Sequence, residues 1–528
     1  MAELIETLRS WVRGLLPLPP AALPGMRVRP EGSTDNGLMI QFFTWESKHP
    51  DLSWWQHFER EVPNLAELGV TQVWLPPPNK AMVPKGQGYD AYDLWDLGEF
   101  DQKGTVPTRW GSKEQLVSAI ATAQAHGIDV LIDAVLNHKL GADRIEKFDA
   151  VPVDPDNRLK AVGPAREIEG WTAFDFTGRA GKYSELKWTH EHFTGVDWDQ
   201  RTKTKGVFLI STPKHKGWSK HVDKEFGNYD YLLGVDIDHR HPAVRKDLLD
   251  WAEWVLKTTG AAGFRLDAIK HMDRRFLLDF LKTARAVPGK ERMFAVAEYW
   301  SANINAIRPY IRAFEGLVTF FDVPLHHNLH DASKAGPDYD LRTIFKNTVV
   351  QSRPGDAVTF VDNHDKEIDR QIGQTLESWV YSAFKLQAYA LILLRKDGHP
   401  CVFYGDLYPN DECYDATVSE GLRELMKVRR KFAYGFQREY PVDKNCIAFV
   451  REGDATHDGC AVLISNKANN PDNKTSETTR VRLNVGVKNR GRRYRHFLRG
   501  EGTVNVDGAG WGKFPRPSNG VDVWVPAQ

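Results

Sequence analysis

The residues Gly263-Phe-Arg-Leu-Asp-Ala-Ile-Lys-His271 place a guanidinium, Arg265, two positions before a carboxylate, Asp267. Residues i and i+2 of a strand point to the same side. If Ala261–Leu266 is a short buried strand, both groups project together at its carboxyl end. An arginine beside a carboxylate favours the ionised form, and an ionised, oriented carboxylate is a nucleophile. The same two residues would also serve as a buried structural ion pair, so the segments that accompany them decide the reading.

Three further segments end in the same way. Ile128–Val135 runs into Asn137-His138, Met293–Ala297 into Glu298-Tyr299-Trp300, and Ala357–Val361 into Asp362-Asn363-His364-Asp365. Each is mostly apolar without polar alternation, the pattern of strands covered on both faces. Catalytic groups at the carboxyl ends of several parallel strands are the arrangement of a (β/α)8 barrel.

The elements between these ends support that barrel. Gly37–Thr44 and Val70–Pro77 read as the first two strands. Trp54–Leu68, made irregular by Pro63, and a segment opened by Ser112 and running to His126-Gly127 read as the first two helices. Val244–Thr259, Ser301–Phe314, Thr375–Arg395 and Gly421–Phe432 read as later helices, with Gly316–Val323 and Pro400–Gly405 as strands. The expected fold class is α/β: an eight-stranded barrel (36–138 and 242–433) with an inserted domain after strand three (139–241). An antiparallel β-sandwich domain (434–528) follows it, and an extension (1–35) precedes it. About a hundred residues between the third strand and its helix exceed any ordinary loop.

Composition fits a large soluble enzyme. The 528 residues carry 70 acidic and 70 basic side chains, which gives no reason to expect nucleic acid as partner. No apolar stretch is long enough to span a membrane, and Trp11–Leu23, broken by Arg13, Gly14 and prolines, is a poor signal peptide. The four cysteines lack metal spacing and fit a reducing compartment, so the expected location is cytoplasmic. A Cys446–Cys460 bridge across two strands is the alternative. Arg490–His496 reads as a solvated basic surface, and Asn473-Lys-Thr matches a glycosylation sequon without meaning in that compartment.

Asp133-Ala-Val-Leu-Asn-His138, Gly263-Phe-Arg-Leu-Asp267, Glu298 and Phe360-Val-Asp-Asn-His-Asp365 resemble, in order and separation, the four signature regions of the α-amylase family of glycoside hydrolases (family 13). The resemblance runs from about Gly37 to the C-terminus and is strongest to bacterial liquefying and intracellular fungal members. Gly88–Leu94 is similar to the family's tyrosine-bearing loop, with Asp90 where many members have a small residue.

The resemblance implies Asp267 as nucleophile, Glu298 as general acid and base, and Asp365 as stabiliser of the transition state. It also implies His138, His364, Arg265 and Tyr89 as substrate-binding residues, with Lys270, His271 and Trp300 contacting the glucan beyond the cut. It implies a Ca²⁺ held by Asn137, Asp230, Asp236 and the His271 carbonyl. The liquefying members' extra metals are put in doubt by Ser219 and by Arg240 in Asp236-Ile-Asp238-His-Arg240. The expected activity is endo-hydrolysis of α-1,4-glucan with retention, by a monomer. A 4-α-glucanotransferase uses the same residues and stays open; a catalytically dead glucan-binding protein would have lost one of the three acids, and none is missing.

Overall fold

Eight short parallel strands close on one another in sequence order. In the computed structural model, which describes residues 18–366, 378–468 and 480–527, these strands are β1 (Met39–Gln41), β2 (Gln72–Trp74), β3 (Asp129–Ala134) and β4 (Gly263–Leu266). They continue with β5 (Phe294–Ala297), β6 (Thr319–Phe321), β7 (Ala357–Phe360) and β8 (His399–Phe403), which returns to β1. Every strand residue is buried, which is why the apolar runs show no alternation. The ladders are shorter than those runs: Phe42, Phe43 and Leu75 lie past the strands yet inside the core. At Gly263 the fourth and fifth strands approach so closely that a Cβ would sit 1.9 Å from the Phe294 carbonyl oxygen, so no larger residue fits.

Helices alternate with the strands. Trp54–Glu67 runs through Pro63, and Lys113–Ala125 follows. Each is opened by a serine capping box, Ser53 with Gln56 and Ser112 with Gln115. Pro242–Thr259, Ile304–Ala313 and Ala416–Phe432 match the expected amphipathic segments within a few residues. Arg274–Ala286 and Val323–Ala335 complete the alternation and correspond to no segment of the sequence reading. The helix expected from Thr375 starts at Ser382; residues 367–377 lie outside the described residues. Ser378–Tyr381 does not join it because its backbone is bound elsewhere. Val380 N–H donates to Asp362 Oδ1 at 3.2 Å, and the Trp379 carbonyl meets His330 Nδ1 at 2.7 Å.

The segment after β3 forms its own antiparallel sheet, and its two ends are joined. His138–Lys139, leaving the barrel, pairs with Val235–Ile237, returning to it. After the last helix, a six-stranded antiparallel sheet faces a two-stranded ribbon (Arg480–Asn484 with Trp511–Pro515). Between them lie Ala448, Val450, Leu463, Val481, Leu483 and Phe514. All four cysteines are free. The Cys446–Cys460 bridge is excluded by register: Cys446 faces Ser465 and Cys460 faces Arg451, at opposite ends of the ladder. Asn473 of the sequon lies outside the described residues.

Residues 18–29 cross the amino end of the barrel. Pro19 O accepts from Arg353 Nη2 (2.8 Å), Ala22 N–H donates to Asp356 Oδ1 (2.7 Å), and Arg27 pairs with Asp129. Ala22 and Met26 belong to the main core.

Candidate active site

The strand carboxyl ends gather three carboxyl groups around one guanidinium. Arg265, on β4 and 1% exposed, sends Nη1 to Asp133 Oδ1 at 2.9 Å and to Asp267 Oδ1 at 2.5 Å. Its Nη2 reaches Glu298 Oε2 at 3.0 Å. The face of this guanidinium lies 4.7 Å from the Trp74 ring centre. Asp133 is further held by Trp74 Nε1 (2.8 Å) and the Tyr89 hydroxyl (2.7 Å). Thus β2, β3 and β5 or their ends contribute one group each and β4 with its end two, locked by parallel register Asp133↔Arg265↔Val296.

The chain turns sharply after the nucleophile candidate. Ala268 adopts φ 48°, a conformation that is costly for a residue with a Cβ. The turn aims the Ala268 N–H at Glu298 Oε2, 3.0 Å away. Burial pushes both Asp267 and Glu298 above the usual carboxylate range, and Arg265 opposes the rise in each. Two interacting carboxyls of this kind hold one proton between them. Asp267 has the shorter arginine contact and the ionised form suits it; Glu298, raised further by Asp267's charge, keeps the proton. Asp365 follows β7. Its side chain stays 25% exposed, yet burial and the neighbouring Glu298 push its carboxyl up to about 8.

His364 is neutral. Burial lowers its pKa well below the usual value. Gln41 Nε2 approaches Nδ1 at 3.0 Å, which leaves the proton on Nε2, 3.5 Å from Asp365 Oδ1. Tyr89 stacks on His364 (5.0 Å, 10°), and Trp45 stacks on Tyr89 (5.7 Å, 4°). His138 faces the same tyrosine, but its Nε2 is occupied by the Tyr89 carbonyl at 2.8 Å. Lys270 forms an ion pair with Glu225 and lies over the Tyr229 ring, so in this state it is engaged within the protein. Trp300 packs near His326 and Phe360 and lines a pocket with Arg265, Glu298, Trp74 and Gln41. The sequence reading assigned no role to Trp45, Gln41, Trp74 or Asp133. Asp133 alone carried a signal, a carboxylate in an otherwise apolar strand.

Below the insert, Asn137, Asp230 and Asp236 come together. Ile237 N–H donates to Asn137 O at 3.0 Å, which brings the β3 end against Asp236. Asn137 Oδ1 and Asp236 Oδ1 are buried acceptors without a hydrogen-bond partner. Burial pushes Asp230 up to about 7 and Asp236 well above the usual range, the latter also raised by Asp230. Orphaned oxygens beside mutually repelling carboxylates fit a hard cation. Among the described residues no three His, Cys, Asp or Glu side chains cluster for a metal; this set has two carboxylates and a carboxamide. The His271 ring takes no part, since its Nδ1 meets Tyr229 O at 2.8 Å. Arg240 sits beside the set, with Nε 2.7 Å from Asp238 Oδ1 and Nη1 3.1 Å from Trp218 O.

The model of the alpha-amylase catalytic domain matches residues 58–429. The chain is 41% identical over 493 residues to a glucan 1,4-alpha-maltohexaosidase of Bacillus sp. (strain 707), covering 93% of this chain and 92% of that protein. It is 39% identical over 503 residues to the cytoplasmic alpha-amylase of Escherichia coli (strain K12), covering 93% and 99%. Among solved structures it resembles an alpha-amylase from Geobacillus thermoleovorans (TM-score 0.59, 18% identity, 93% and 98% covered). It likewise resembles the cyclomaltodextrin glucanotransferase CldA (TM-score 0.60, 18% identity, 94% and 100% covered). These two likenesses establish the fold alone.

Proposed function

The chain belongs to the α-amylase family of glycoside hydrolases, and from that premise we propose that it is an α-amylase cleaving internal α-1,4-glucosidic bonds with retention of configuration. The observation that carries this reading is the pair Asp267 and Glu298 on the two arms of one buried guanidinium. In retaining glycosidases the two carboxyl groups stand about 5–5.5 Å apart. Asp267 attacks the anomeric carbon while Glu298 protonates the departing glycosidic oxygen, and a glycosyl ester forms. Glu298, now ionised, takes a proton from water, which attacks the same carbon and frees Asp267.

Asp365 and the His364 Nε2–H bind sugar hydroxyls, and Tyr89 and Trp45 form the aromatic wall of the cleaved ring's site. Arg265 keeps one of the two carboxyls ionised. His138, Lys270, His271 and Trp300 flank the glucan; Lys270 must exchange Glu225 for substrate to do so. Asn137, Asp230, Asp236 and the His271 carbonyl would hold one Ca²⁺, which would supply the positive charge that the buried oxygens of Asn137 and Asp236 lack. We assign the barrel to 36–138 and 242–433, the insert to 139–241, the β domain to 434–528 and the extension to 1–35. No helix of the described residues is long and apolar enough to cross a membrane. The four free thiols support a cytoplasmic location, and a monomer is the simplest assembly.

Hydrolases and transferases share this fold, so the experiment must watch the acceptor. Purified protein is incubated with maltoheptaose, with products sized by chromatography and the new reducing end followed by proton NMR. Products shorter than the substrate, with the α-anomer first, are expected. Products longer than the substrate would assign a glucanotransferase, and initial β-anomer would overturn the covalent route.

A further inference from the structure

We propose that the outer face of the C-terminal ribbon binds a phosphate monoester carried on an α-glucan; the proposal rests on the α-glucan activity above. The ribbon strands Arg480–Asn484 and Trp511–Pro515 alternate cleanly. Val481, Leu483, Gly512 and Phe514 turn inward and are buried, while Arg480, Arg482 and Lys513 face outward and are exposed. Arg482 lies directly opposite Lys513 in the ladder. Like charges opposed across a strand pair destabilise it, and no described carboxylate forms a salt bridge with Arg480, Arg482 or Lys513. The nearest acid, Asp507, has its Oδ1 occupied by the turn, accepting from Ala509 N–H and Trp511 N–H at 2.9 Å each. Among the described residues of the groove, three cations therefore converge on one carboxylate, Asp507, which leaves positive charge in excess.

The groove they line holds about 650 Å³, within the range of small-ligand sites. The Arg482 guanidinium lies 4.4 Å from the Trp511 ring centre. Stacking of this kind holds the planar fork in one orientation, as bidentate recognition of a phosphate requires. Thr503, Asn505 and Asp507 also line the groove, and the neutral hydroxyl and carboxamide suit sugar hydroxyls. A nucleic acid would need a track of cations along evenly spaced phosphates. Here three cations share one groove on a chain of formal net charge zero, which matches a single phosphate on a hydroxyl-rich polymer.

The test is affinity electrophoresis of the full chain carrying Glu298→Gln, which blocks digestion, in gels containing starch rich in phosphate monoesters. Matched gels contain the same starch after phosphatase treatment. Stronger retardation by the phosphorylated starch, by at least fivefold in apparent Kd, is expected. It should be lost in Arg482→Ala/Lys513→Ala with the Glu298→Gln background retained. The same double variant on the wild-type background should cleave maltoheptaose at the unaltered rate. Equal retardation by both starches, retention of the difference in the double variant, or equally tight binding of an oligonucleotide each overturns the proposal. Cleavage of maltoheptaose by the wild-type chain in the same preparation separates this failure from failure of the α-amylase reading itself.

Discussion

Arg265 sets the protonation of the whole cleft, because three carboxyls compete for one guanidinium. Removing a carboxyl's charge without changing its shape tests each role. Glu298→Gln and Asp267→Asn should each lower kcat on soluble starch by about 100-fold or more, the range for a general acid or nucleophile, with little change in melting temperature. A variant retaining over a tenth of wild-type turnover would remove that residue from the mechanism. The pH profile tests the third acid. Glu298 must be protonated to act, so activity is lost as pH rises through its raised pKa. Burial and the neighbouring Glu298 push the Asp365 carboxyl up to about 8, so it is neutral at pH 7. Asp365→Asn preserves that neutral state, and the alkaline limb of kcat/KM should keep its position in the residual activity. A limb displaced to lower pH would show that Asp365 is ionised and helps hold the Glu298 proton. Three of the acids and both histidines were legible as polar residues ending apolar runs. Trp45 and Gln41 were not, since each acts only through rings and imidazoles brought from more than forty residues away.

Among the elements, the stretch 18–29 does what no periodicity announces. It has no repeating pattern, and its partners Asp129, Arg353 and Asp356 stand just before or at the start of β3 and β7. Asp356 is 1% exposed and accepts from both Ala22 N–H and Arg353 Nε. Asp356→Ala leaves both donors short of a partner, at a cost of about 1–3 kcal/mol. The expected result is a lower melting temperature with kcat on maltoheptaose unchanged, because the strap lies at the opposite end of the barrel from the acids. Loss of kcat in the fully folded variant would mean the strap reaches the site. The barrel itself was readable because burial on both faces writes continuous apolar runs. Strand limits were not, because burial extends past the ladders at Phe42, Phe43 and Leu75. Val323–Ala335 was masked by polar positions, His326, His327 and His330, and by reading Val323 as the end of a strand.

At the scale of the molecule, the insert meets the barrel where Val235–Ile237 pairs with His138–Lys139, and the proposed Ca²⁺ would sit at that seam. Without a cation, Asn137 Oδ1 and Asp236 Oδ1 are buried and unsatisfied, so occupancy should stabilise the native state alone. A ligand at a hundredfold excess over its Kd contributes about 2.7 kcal/mol. Chelation should therefore lower the melting temperature and the activity together, and added Ca²⁺ should restore both. Asp236→Ala should reproduce the chelated state and make further chelator harmless. The count is decided next to the site. Arg240 brings a fixed positive charge against Asp238 and the Gly217 and Trp218 carbonyls, oxygens that would otherwise be available to a second cation. Metal analysis after extensive dialysis should find one Ca²⁺ per chain, lost in Asp236→Ala. Two or more ions in wild type, with only one lost in that variant, would show that Arg240 does not take the second place. A melting temperature indifferent to chelator, with no bound metal, would leave the buried oxygens of the seam to water and remove the cation from the structure's account.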